Sequence, residues 1–494
     1  MNPLVVALLV SLVIGLALTL GATRSQAAAG SAATLSVNPS AATSGASVQV
    51  AAKGFPHRST ITIYLDDRQV LAGTTGGAGA FKGSFKVASN VAPGNHTVSA
   101  SDNGTRANVV LAVTAPATVT GSGHSWFVSR NGNNSTGNSW ANAWNELSAI
   151  QWGSVQPGDT IWLDGGSTAC SPAYDFNGTR PGVSCGMQYN TTMTVGASGT
   201  SAAPIKIRLS TEAGHNGTAV FFGGRATPLP YCHQSSYSAG SVRAYGILVG
   251  AYHDVVIDGG HISGIMIYGA NFGIRVSSSA AANLTFARME IFDNGVITKA
   301  SGSGGYNSDN PGISLSGGLN TLIKGNLIHD NGQDEIQDGT RSNNSLNGLV
   351  LDTDWLYNRR GNPLYPGYPF NEPQSTGCTH VDGLQLWSGG PTQSGLTVKH
   401  SIFGPLLNQG VYPSDSGTGA VWTNVSITDS LFLTITHSIM ADSPVHGWTV
   451  DHNTLFTPNQ NAGMELPSNG ANTLTNVVKY GGYVYTPSWT GTTG

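Results

Sequence analysis

From Val255 onward, one short phrase recurs with variations: DVVIDGGHISG, NLTFARMEIFDNG, NTLIKGNLIHDNG, GLVLDTDWLYN, GLTVKHSIFG, NVSITDSLFL and GWTVDHNTLF. Each holds two or three alternating aliphatics, a polar break of Gly, Asn or Asp, and a second apolar pair. With Ile257, Phe286, Ile323, Leu351, Val398, Ile427 and Val450 taken as equivalent, the steps are 29, 37, 28, 47, 29 and 23 residues. Irregular steps with apolar alternation of period two belong to stacked β-coils, not to helical pairs. One coil cannot bury its own apolar face, so the coils must fold as a single stack, with loops in the longer steps.

The composition agrees. Charged residues make up only 10% of the chain and 66 residues are Gly, which suits many short strands and tight turns. The net charge is −4 with no basic block, so nucleic acid is not an expected partner. Of the four cysteines, Cys170 and Cys185 flank a loop and could pair locally, free buried thiols being the alternative. Their spacing matches no zinc pattern.

The N-terminal run LVVALLVSLVIGLALTLGATRSQAAAG reads as a signal peptide over residues 1–27, with a small-residue cleavage site at Ser25-Gln26-Ala27. No Lys or Arg precedes the run, so an uncleaved membrane anchor is the competing reading. Either places the remaining chain outside the cytoplasm, with no other membrane contact expected. Residues 34–115 carry short alternating strands at regular spacing, the pattern of a β-sandwich. The phrases GF, TIYLDD and APGNHTV resemble those of bacterial immunoglobulin-like modules, which implies a spacer or binding appendage. Residues 116–123 form a linker, and 124–494 are assigned to the coil stack.

The start of that stack reads SWFVSRNGNNSTGNSWANAWNELSAIQWGSVQPGDTIWLDGGS. The strand WFVS, the loop SWANAW and the phrase PGDTIWLDGG resemble the first coil of right-handed parallel β-helix proteins of the pectate-lyase-like superfamily. The fold class implied is all-β: a right-handed parallel β-helix preceded by an Ig-like sandwich. A segment such as NELSAIQ would cap the open end of the solenoid. The resemblance says little about the reaction.

A second set of strands aligns beside the first, with Ile274, Ile313, Ile336, Leu384, Val411, Ile439 and Met464 as one inward column. Alternation sends Arg275, Ser314, Gln337, Gln385, Tyr412, Met440 and Glu465 outward on one side. On the other side stand Gly273, Gly312, Glu335, Gly383, Gly410, Ser438 and Gly463. These glycines imply either a shallow groove for a chain-like ligand or a bend at a coil corner.

Polar residues concentrate on two consecutive coils, HDNGQDEIQDGTR and THVDGLQLW. Asp334, Glu335, His380, Asp382, Tyr412 and His437 are the catalytic candidates. Paired carboxylates on adjacent rungs can shift one another into an acid and a base. Asp334, Glu335 and Asp382 could instead hold Ca2+, the one cofactor considered. By strict parity, however, Asp334 and Asp382 point with the core aliphatics, so turn capping competes with both roles. Glu335, Gln337, Gln385 and Tyr412 escape that objection, while His329 and Asp330 read as turn residues. Between the two coils, NRRGNPLYPGYPFNEPQSTGC supplies Arg359, Arg360, Tyr365 and Tyr368. With Arg341, Gln337 and Gln385, these are the substrate-binding candidates for an acidic polysaccharide, a loop that only shields the core being the alternative.

The expected function is a secreted, monomeric protein acting on polysaccharide. A lyase, with Tyr412, His380 or His437 as base, is slightly favoured over an inverting hydrolase built on Asp334, Glu335 and Asp382. The sequence lacks the NTD, DD, GHG and RIK series of polygalacturonases and the arginine motif of calcium pectate lyases. A non-catalytic carbohydrate-binding or adhesion protein is the alternative of a different class.

Overall fold

The computed structural model describes residues 32–43, 46–88, 91, 94–102, 104–114, 123–171, 185–225, 229, 241–299, 306–338, 347–359, 381–387, 393–414, 421–442, 445–457, 463–466, 472–480, 483–485 and 490–493. The chain divides into two compact units between Thr118 and Val119. In the first, Thr34–Asn38, Ser47–Lys53 and Phe81–Lys86 form an antiparallel sheet. A second sheet runs Ala41–Thr43, Arg106–Thr114, Gly94–Ser101, Thr60–Leu65 and Arg68–Thr74. Strict alternation in SVQVAAK and TITIYL buries Val48, Val50, Ile61 and Ile63 in one core with Val98 and Leu111.

The second unit is a right-handed parallel β-helix. Its three parallel sheets share one continuous apolar core, from Val128 and Trp144 to Leu474 and Val477. The first sheet opens with Ser125–Val128 beside Thr160–Leu163. It then carries Ile257, Phe286, Ile323, Leu351, Val398, Ile427 and Val450 on consecutive rungs in register. Leu147, in a short 3-10 turn at Leu147–Ala149, and Ile150, which follows it, are buried in the same core near its N-terminal end.

The second apolar pair of each repeat is a strand of a separate sheet. Met289–Phe292, Leu327–His329, Trp355–Tyr357 and Ile402–Leu407 stack in parallel there. The corner between the two sheets is only one or two residues long. Arg288, Gly325, Thr353, His400, Asp429 and His452 take positive φ at this corner. After them come Asn326, Asp354, Ser401, Ser430 and Asn453, whose side-chain oxygens accept backbone N–H groups from the preceding coil at 2.8–3.2 Å. This polar ladder meets the requirement that buried backbone donors be paired where strand bonding stops. Burial pushes the Asp354 carboxyl up to about 7, opposed by its bonds to Asn326.

The outer face of the second sheet is also covered on its N-terminal coils. Val220, Met266, Tyr268 and Phe292 cluster there with Cys170, which forms a disulfide with Cys185. Among the described residues no helix is long and apolar enough to cross a membrane.

Candidate functional site

The third sheet positions the polar residues. Ile274, Ile313, Ile336, Leu384, Val411, Ile439 and Met464 pair rung to rung as its inward column. Outward, Arg275 pairs with Ser314, Ser314 with Gln337, Gln337 with Gln385, and Gln385 with Tyr412. Met440 and Glu465 continue the row. Successive side chains lie about 4.8 Å apart, so the row is a contiguous polar stack, within which Ser314 and Gln385 are buried while Arg275, Gln337 and Tyr412 are half-buried.

The strands of two central rungs begin at Ile336 and Leu384, after the acidic residues. Asp334 and Asp382 therefore sit at the bend, both fully buried. Asp334 accepts the backbone N–H of Asp382 through Oδ1 at 2.9 Å, and Asp382 accepts that of Gln409 at 3.0 Å. The second oxygen of Asp334 takes the Gln337 amide at 3.0 Å, and that amide also reaches Gln385 Oε1 at 3.2 Å. With the Gln409 amide turned so that its nitrogen faces Asp382, it donates to both carboxylate oxygens at 2.9 and 3.0 Å. Rung capping is thus an observed role of both carboxylates.

Glu335 departs from expectation. It does not face outward: its side chain turns into the corner between the second and third sheets and is fully buried. Asn331 donates to one oxygen at 2.6 Å and Asn358 to the other at 2.7 Å. Burial pushes this carboxyl up to about 8 against those two donors. Its neighbours in the column explain the direction. A Cβ on Gly383 would stand 2.5 Å from the Phe403 ring, and one on Gly410 would stand 2.5 Å from Phe432. Both rings belong to the core, so the glycines serve a tight corner and not a groove on the surface. A carboxylate in that column has no route to a ligand on the outer face.

Further along the face the packing opens. Tyr412, half-buried, donates its hydroxyl to Asp442 Oδ2 at 2.9 Å. His437 follows Gln409 in the bend column, and its side chain is 17% exposed. Both ring nitrogens are buried, and neither makes a hydrogen bond to a described residue. Nε2 lies 3.4 Å from Glu465 Oε2, an electrostatic contact outside hydrogen-bonding geometry. Burial holds this imidazole below its ordinary value of 6.5, against the pull of Glu465, so it is neutral at pH 7. Asp442 was not among the sequence candidates, although alternation from Met440 through Asp442 in HSIMAD places it outward.

Arg359 also departs from expectation. It is buried, and its Nε and backbone N–H each meet Asp330 at 2.8 Å, with a further ion pair through its terminal nitrogen. Asp330 in turn holds His329 Nδ1 at 2.9 Å, and His329 Nε2 meets Glu290 at 3.1 Å. His329 stacks between Phe292 and Tyr357 at centroid distances of 5.1 and 4.7 Å. A guanidinium enclosed in this network is not presented to a substrate carboxylate. Asp330 has the positive φ of a turn residue. His329 lies in a strand and carries charge. Its two carboxylate partners overcome burial and raise it to about 9.

His380, Arg341, Arg360, Tyr365 and Tyr368 lie outside the described residues. Among the described residues, no group of three or more His, Cys, Asp or Glu is placed to hold a metal ion, so Asp334, Glu335 and Asp382 do not assemble a Ca2+ site there. With Glu335 facing the corner, the three carboxylates do not converge.

No family model matches the sequence, and no curated protein matches it. Among solved structures, pectate lyase Pel9A is similar at 18% identity over 73% of this chain and 77% of its own, with a TM-score of 0.45. PfbA, a surface adhesin of Streptococcus pneumoniae, is similar at 10% identity over 66% and 79%, with a TM-score of 0.30. The catalytic domain of a GH87 α-1,3-glucanase, solved with nigerose, is similar at 12% identity over 91% of each chain, also at 0.30. Likenesses of this size assign no role to any residue of the third sheet.

Proposed function

We propose that the outer face of the third sheet binds an acidic polysaccharide and cleaves it by β-elimination, with His437 as the base. The observation that carries this reading is the state of His437: neutral, with a side chain 17% exposed and both ring nitrogens buried without a hydrogen bond to a described residue. Buried polar atoms are nearly always satisfied, and an unsatisfied one on a polar face marks a place for a ligand. A base working near neutral pH needs this protonation state.

In the proposed step His437 takes the proton beside the uronate carboxylate, and a carbon–carbon double bond forms. The glycosidic carbon–oxygen bond breaks, and the leaving oxygen receives a proton from the Tyr412 hydroxyl, a donor as placed. The uronate carboxylate needs a neutralising cation. Arg341 and Arg360 are proposed for that role from sequence, and Arg275 offers a guanidinium on the same row. The hydrolase alternative asks for two carboxyl groups free to act about 6.5–9.5 Å apart. Asp334 and Asp382 are fully buried and capping backbone donors, which weighs against it. The same capping favours, as a second reading, a face that binds polysaccharide without cleaving it. We further propose an extracellular location and a spacer role for the N-terminal sandwich.

The test is incubation of the purified protein with pectic, alginate and glycosaminoglycan polymers, with and without Ca2+. Growth of the unsaturated-uronate absorbance supports elimination. New reducing ends without that band contradict it in favour of hydrolysis, and binding with neither leaves the non-catalytic reading.

A further inference from the structure

An open cleft of about 280 Å³ lies at the N-terminal end of the same sheet. Its walls come from two short 3-10 turns, with Leu147, Ser148 and Trp152, from the first third-sheet rungs, with Thr194 and Leu248, and from Tyr252 in the connection that follows the second of them. Both aromatic rings are half-buried and pack against the solenoid core. Trp152 lies on Gly196, where a Cβ would come within 2.5 Å of the ring, so a larger residue there would crowd the indole; a Cβ on Gly250 would stand at an ordinary contact distance of 3.8 Å from the Tyr252 ring. Neither the indole N–H nor the phenol hydroxyl is hydrogen-bonded to a described residue, and the lining carries no charged side chain.

Two aromatic faces with spare polar tips, rimmed by Ser and Thr hydroxyls, present apolar area and hydrogen bonding side by side. That combination suits a sugar ring, which has C–H faces and a hydroxyl edge. The cleft is also in line with the proposed reaction surface. Thr194 pairs with Leu248 and Leu248 with Arg275, the first member of the outward polar row. Five rung steps, about 24 Å, separate Leu248 from Tyr412. A bound chain following the row from Tyr412 would meet the half-buried Gln337 and Arg275 before entering the cleft, Gln385 and Ser314 between them being buried.

Resting on the proposed reading of the third sheet, we propose that the Trp152–Tyr252 cleft is a remote pyranose-binding subsite that holds the far end of an extended polysaccharide. The cleft then selects for chain length: a long chain reaches it from the reaction rungs and a trimer does not.

The test measures binding of polygalacturonate, alginate and hyaluronate, each as polymer and as purified trimer, to the full-length protein and its variants. Trp152→Ala and Tyr252→Ala are expected to weaken binding of the recognised polymer about tenfold and to leave trimer binding unchanged. Trp152→Phe should recover most of the loss. Thermal midpoints identify any variant that unfolds, and because the two rings sit on different elements, one still reports if the other is lost. Polymer binding that both alanine variants retain overturns the subsite and leaves the reaction surface standing. Equal weakening of polymer and trimer also overturns it, since the effect is then not one of length. A wild-type protein that binds none of the polymers overturns the subsite together with the reading of the sheet.

Discussion

The carboxylate of Asp334 accepts the backbone N–H of Asp382, one rung away, at 2.9 Å, and Asp382 repeats the contact to Gln409. Two acidic residues aligned on adjacent coils thus close the hydrogen bonds that the third sheet lacks before its strands begin. Asp382→Ala would leave a buried N–H without its acceptor, a loss of about 1–3 kcal/mol. Denaturant midpoints should fall accordingly, and Asp382→Asn, which keeps an acceptor oxygen, should fall less. Unchanged stability with abolished turnover would instead make Asp382 a catalytic group.

Gly410→Ala tests the corner. The added Cβ would meet the backbone oxygen of Ser438 and stand 2.5 Å from Phe432. Overpacking of this kind costs about 1–3 kcal/mol. The thermal midpoint should drop even without ligand. A variant as stable as wild type but impaired in polymer binding would restore the groove reading.

Three buried groups with raised values give stability a defined pH dependence. Asp354 is raised from 3.8 to about 7, so its contribution is present below 3.8 and lost as pH rises through 7. Glu335 is raised from 4.5 to about 8, so its contribution is present below 4.5 and lost as pH rises through 8. His329 is raised from 6.5 to about 9, so its contribution is present below 6.5 and lost as pH rises through 9. Unfolding free energy should decline between pH 3.8 and 9. Glu335→Gln should make that decline shallower between pH 4.5 and 8 and leave the part above 8 unchanged.

His329→Phe preserves the ring stack but strips Glu290 and Asp330 of the imidazolium between them. Removing one partner from a buried charged network costs about 3 kcal/mol, which calorimetry would show. Asp330 retains Arg359, so a smaller loss would mean that the Asp330–Arg359 pair dominates the network.

The inward columns of the first and third sheets could be read from sequence because period-two alternation survives insertions. The structure pairs Ile257 through Val450 and Ile274 through Met464 in that register. The second sheet was not separable. A single positive-φ residue such as Arg288 turns the corner between Ala287 and Met289, and the apolar pattern runs through it without a visible gap. Glu335 was misread for a related reason. Alternation gives the side of a strand, but at a corner that side faces the neighbouring sheet's Asn331 and Asn358. Nor could the pairing of Arg359 with Asp330 be read, because it joins residues 29 positions apart on different coils.

The most direct measurement of the central claim is the pH dependence of kcat/KM for wild type and His437→Gln on the best polymer, followed by the unsaturated-uronate band. Wild type should rise through one ionisation below 6.5, the imidazole losing its proton to become the base. His437→Gln should lose that limb and at least about a hundredfold in kcat, with its thermal midpoint unchanged. A variant that keeps the wild-type rate and profile would contradict the assignment of His437 as the base.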